Sequence, residues 1–66
     1  MDEKLKLELL GLASLTKGII RLEFYEGDFI LGTVEKIIPG FIMLKIDHAG
    51  RSCIVPISIS TVKDIF

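Results

Sequence analysis

The chain is predicted to be mainly β: an N-terminal α-helix followed by a strongly bent, five-stranded antiparallel barrel. Three observations predict it. Leucines recur with a helical period over residues 2–15, apolar residues alternate with a period of two after Gly18, and turn-forming residues then interrupt the chain at hairpin intervals. No linker, repeat or low-complexity segment divides it, so residues 1–17 are expected to form the helix and residues 18–66 the barrel of one domain.

In the helical segment Leu5, Leu9 and Leu12 fall on one stripe, with Leu7, Leu10 and Leu15 beside it and Glu3, Lys4, Lys6 and Glu8 between them. Asp2 is the expected N-cap, and Glu3 lies at the positive end of the helix dipole. Lys17 and Gly18 supply a basic last turn and a C′ glycine. Gly11 weakens the helix by roughly 1 kcal/mol relative to alanine, so packing against the barrel has to support it. Capping an open end of the barrel is the expected role, with binding of a partner as the alternative.

Next, Ile20, Leu22 and Phe24 alternate with Arg21, Glu23 and Tyr25, the signature of a half-buried strand. Glu26-Gly27-Asp28 makes a tight turn in which Gly27 supplies positive φ. The return strand is Phe29–Ile38, and Gly32 inside it marks a bend or bulge where the sheet curls. Pro39-Gly40 is the pair a type II turn prefers. A third strand covers 41–47, His48-Ala49-Gly50 turns again, and a fourth covers 51–55. Pro56 interrupts a β-prone run because it cannot donate to a ladder, and is the expected corner before a fifth strand over 60–65. Short strands, tight turns and a kinked second strand describe a bent barrel rather than a flat sheet.

Size and charge narrow the function classes. A core in 66 residues supplies only roughly 3–5 kcal/mol unless something else staples it. Cys53 is the single cysteine and His48 the single histidine, so neither a disulfide nor a zinc site is expected. Because 50% of the residues are hydrophobic, part of that surface should lie against other subunits; a tight monomer is the alternative. The unpaired cysteine and the lack of a basic leader point to the cytoplasm, and no apolar run approaches the ~20 residues of a membrane helix. A net charge of −1 leaves no general basic stripe. An enzyme is not expected: His48 beside Asp47 has no nucleophile near it, and no glycine-rich phosphate loop or other cofactor motif is present.

One constellation resembles a family. The stretch Tyr25-Glu26-Gly27-Asp28-Phe29-Ile30-Leu31-Gly32-Thr33-Val34-Glu35 resembles the first Sm motif, with its two glycines five residues apart. Phe41-Ile42-Met43-Leu44-Lys45 and Ile59-Ser60-Thr61-Val62 are similar to segments of the bacterial Hfq branch, which also carries an N-terminal helix. The resemblance implies an Sm-like fold, an SH3-like small barrel, and a homo-oligomeric ring of about five to seven subunits in which the fourth strand of one copy pairs with the fifth of the next. It further implies binding of single-stranded RNA, in the manner of an RNA chaperone, by stacking and base-edge contacts. Hfq places a lysine-histidine pair before its Ile-Ser-Thr segment to hold uridines at the pore, whereas the matching residues here are Pro56 and Ile57, which offer no side-chain hydrogen bond. The third-strand asparagine of other Sm proteins is replaced by Ile42, Met43 and Leu44, and the basic rim is reduced to Lys17. A degenerate uridine site follows.

Phe41, just after a turn, corresponds to the family's base-stacking position; a core phenylalanine is the alternative. Lys45 and Arg51 flank the third turn and are candidate phosphate contacts, or else solvated barrel surface. Tyr25 offers a second ring on the outer face, with packing against Phe29 as the alternative. Set against the RNA-binding ring is a structural or protein-interaction module that kept the barrel and lost the RNA site, and, beyond it, another SH3-like barrel without ring closure.

Overall fold

The change of period at Gly18 is the change from helix to sheet. A computed structural model describes residues 2–66. Helix α1 (Glu3–Thr16) is followed by β1 (Ile20–Phe24), β2 (Phe29–Ile38), β3 (Phe41–His48), β4 (Arg51–Ser58), a 3₁₀ turn (Ile59–Thr61) and β5 (Val62–Ile65). At the start of α1 the Asp2 carboxylate accepts from the Leu5 N–H at 2.8 Å, as an N-cap should. At its end Lys17, not Gly18, takes the left-handed conformation (φ 57°), and its N–H donates to the Ala13 carbonyl.

All five strands lie antiparallel in the order β4-β3-β2-β1-β5. The sheet is bent but not closed into a barrel, because β4 and β5 end it as two edges with no ladder between them. The bend is built into β2: residues 29–32 pair with β1 and residues 33–38 pair with β3. Gly32 stands at that handover. A Cβ there would lie 2.6 Å from the Lys45 carbonyl oxygen and 2.9 Å from Leu44 Cγ, so only a residue without a side chain lets β2 approach β3 this closely. A separate register shift between Val34 and Lys36 bulges the strand further on. The Lys17 ammonium donates to the Val34 and Glu35 carbonyls at 3.2 and 3.1 Å, which ties the helix end to the bulge.

Two turns differ from the sequence expectation. β4 runs through Pro56, which pairs opposite Met43, and the corner comes later, at the 3₁₀ turn. An edge strand tolerates a proline because one side of its ladder is vacant. The third hairpin is a two-residue turn of Ala49 and Gly50, both at positive φ, with His48 paired to Arg51.

The core is made of Leu22, Val34, Ile42, Leu44, Ile57, Ile59 and Val62 from the sheet and the 3₁₀ turn, and Leu10 and Ala13 from α1. The helix therefore packs against β2, β5 and the 3₁₀ turn as a lid. Its buried stripe is Lys6, Leu10 and Ala13, whereas Leu5 and Leu12 of the expected stripe point outward with Leu15. Leucines on nearly every side of α1 made the apolar face ambiguous, and the small Ala13 side chain lets this face approach the sheet.

Candidate functional site

A depression of about 340 Å³ lies where the β1–β2 hairpin meets the 3₁₀ turn. Phe24, Tyr25 and Glu26 line one wall and Ser60 and Thr61 the other. Local pairing holds the walls together. The β1–β5 register shifts between Glu23 and Phe24, and just beyond it the Tyr25 N–H donates to the Thr61 carbonyl at 3.3 Å. The hairpin itself is closed by bonds from the Gly27 N–H to the Phe24 carbonyl and from the Phe24 N–H to the Asp28 carbonyl.

Tyr25 is 62% exposed, so its ring is available to a planar ligand. On the opposite wall the Thr61 hydroxyl donates to the Ser58 carbonyl at 2.7 Å, and the Ser58 and Ser60 hydroxyls lie 2.9 Å apart. Both lining hydroxyls keep acceptor capacity, and the Glu26 carboxylate adds another acceptor. An aromatic platform beside neutral hydroxyls suits a flat, uncharged ring with hydrogen-bonding edges. Glu26 disfavours a phosphate in the same place.

The four residues singled out from the sequence do not form one cluster. Tyr25 lines this depression and Phe41 lies on the other flank of the same 3₁₀ turn, where the Ile59 N–H donates to the Gly40 carbonyl at 3.0 Å. Phe41 is 44% exposed, so it is not a core residue. Lys45 is half-buried and lines a smaller depression of about 160 Å³ with Ile19, Leu31, Gly32, Thr33 and Asp47. Arg51 is at the far end of β4; the seven residue steps from Phe41 to its partner His48 span about 23 Å of strand. The ring of Phe29, the alternative packing partner of Tyr25, is covered by the Arg21 guanidinium at 4.1 Å. Arg21 also pairs with Glu23 at 3.0 Å.

Glu26, Ser60, Thr61 and Lys6 were not picked out as site residues from the sequence. Ser60 and Thr61 stood inside a recognisable segment, but nothing local showed that they face Tyr25 across some 35 residues of chain. Lys6 stands among the charged residues between the leucines of α1, yet it is buried beneath Tyr25. Among the described residues no group of three or more His, Cys, Asp or Glu comes together as a metal site, and no helix is long and apolar enough to cross a membrane.

These features define a small β-rich domain with a helical lid, two vacant sheet edges and an aromatic depression. Comparison with protein-family models, with curated proteins and with solved structures gives no match to the chain.

Proposed function

We propose that the chain is an Sm-like subunit that joins copies of itself edge to edge into a closed ring, and that each subunit holds a base of single-stranded RNA in the Tyr25 depression. The ring part is supported by the sheet order, which leaves β4 and β5 as vacant edges of one antiparallel sheet. Vacant edges invite pairing, and a head-to-tail contact that closes removes every edge at once. Exposed Ile54 on β4 adds apolar surface along one of them.

The RNA part is carried by one observation: an exposed tyrosine ring facing two hydroxyl-bearing residues in a depression that size. Stacking on an aromatic side chain contributes roughly 1–3 kcal/mol per base and discriminates little among bases. Phe41, on the other flank of the turn, is a second platform for a neighbouring base. With net charge −1 and no lysine or arginine among the residues that line the depression, few cations meet phosphates there, so binding is modest and its salt dependence shallow. Pro56 and Ile57 add no base readout, and uridine selectivity is accordingly weak.

Titration of short U-rich and A-rich RNAs at several salt concentrations tests this reading. Tyr25→Ala is expected to raise Kd roughly 5- to 150-fold, and Phe41→Ala to raise it by a smaller factor. Tight uridine-selective binding that survives both substitutions contradicts the proposed site. Absence of binding to either RNA at low salt instead supports the alternative, a protein-interaction module, for which the outward leucines Leu5, Leu12 and Leu15 are the surface to examine.

A further inference from the structure

Lys6 is 5% exposed, although it belongs to a residue type that is almost never buried without a partner. No carboxylate accompanies it: the ion pair found among the described residues is Arg21–Glu23. Its ammonium donates to the Ile59 carbonyl at 3.4 Å, a long bond, and sits 5.5 Å from the centroid of the Tyr25 ring. Ile59 opens the 3₁₀ turn that carries Ser60 and Thr61, so these two contacts reach both walls of the depression from below.

We infer that Lys6 is a positioning residue for that depression, a buried cation that fixes the Tyr25 ring against the 3₁₀ turn so that a stacking platform exists before the ligand arrives. The physical reasons are two. A cation over an aromatic face is attracted by the ring quadrupole, more strongly where water is excluded. The Ile59 carbonyl, which already accepts the Val62 N–H across the 3₁₀ turn, has a second lone pair that accepts the same ammonium. The four-carbon stem meanwhile packs with Leu10 and Ala13 on the buried stripe of α1, which makes the helix part of the binding site as well as a lid. The inference rests on the reading of Tyr25 as a platform, but its first test does not require RNA.

Tyr25 is the single tyrosine and there is no tryptophan, so ultraviolet-excited emission reports on this ring alone. In Lys6→Met, which keeps the stem, the tyrosine anisotropy is expected to fall while the melting transition stays cooperative. Lys6→Arg, which keeps the charge, is expected to restore the anisotropy. Lys6→Gln, which keeps a donor without the charge, is expected to behave like Lys6→Met. RNA Kd should rise roughly two- to thirty-fold in Lys6→Met.

Should the Lys6 variants fail to fold, acylation of the unsubstituted chain gives the same answer. Lys6 is expected to react several-fold more slowly than Lys4, and to speed up in Tyr25→Ala. Unchanged anisotropy in a folded Lys6→Met, wild-type behaviour of Lys6→Gln, or equal acylation of Lys6 and Lys4 overturns the inference. If the anisotropy falls as expected but the unsubstituted protein binds no RNA, Lys6 still holds Tyr25 and it is the RNA reading that fails.

Discussion

Gly32→Val is expected to lower the stability of the protein by about 1–3 kcal/mol. The added Cβ would stand 2.6 Å from the Lys45 carbonyl oxygen, a backbone atom in the neighbouring strand, and 2.9 Å from Leu44 Cγ in the core. The side chain of Leu44 has nowhere to move, being fully buried. Relief requires β2 and β3 to separate where β2 passes from one partner strand to the other. Overpacking of this kind costs about 1–3 kcal/mol and occasionally more, against roughly 3–5 kcal/mol for the core of so small a chain. Gly11 provides the contrast. Nothing lies within 4 Å of a Cβ there, so Gly11→Ala should stabilise α1 by about 1 kcal/mol. Urea unfolding of both variants at one fixed protein concentration checks the pair, since association also raises apparent stability. An unchanged midpoint for Gly32→Val would mean that the two strands do not approach as described.

Leu10→Ala is expected to lower the stability of the whole domain, not of the helix alone. Leu10 is fully buried and shares the core with Leu22, Val34 and Val62. Truncating such a leucine costs about 2–5 kcal/mol, through lost burial and the cavity left behind. Leu15, 82% exposed on the same helix, serves as the control, and its replacement by alanine should change unfolding by less than about 0.5 kcal/mol. Circular dichroism in the helix and strand regions distinguishes the outcomes. A single shared transition shifted downward is expected for Leu10→Ala. Helix loss with an unshifted strand transition would instead make α1 an independent appendage.

The elements were largely legible because their signals are local. Gly27 and Pro39-Gly40 placed two hairpins, the alternation of Ile20, Leu22 and Phe24 matched the buried side of β1, and Asp2 capped the helix as its type suggests. Misreadings arose where a position depends on a distant partner. Pro56 is a breaker in isolation but acceptable on an edge strand, and edge status is a property of the whole sheet. Ala49 adopts positive φ because β3 and β4 demand a two-residue turn there, against the preference of alanine. Which stripe of α1 is buried depended on the sheet beneath it, and six leucines hid the 6-10-13 spacing that includes Lys6. The candidate site was legible in Tyr25 and Phe41, whose rings flank the 3₁₀ turn. Lys45 and Arg51 are separated from it because both belong to the opposite half of the β3–β4 hairpin.

Ring closure through the β4 and β5 edges is the claim on which the functional reading depends. Light scattering coupled to size exclusion measures it directly, over a range of micromolar concentrations and at moderate salt. The expected result is one species of about five to seven times the 7.4 kDa subunit mass, unchanged on dilution, as a closed ring requires. A 7.4 kDa monomer persisting at high concentration, or a mass that grows continuously with concentration, would contradict it.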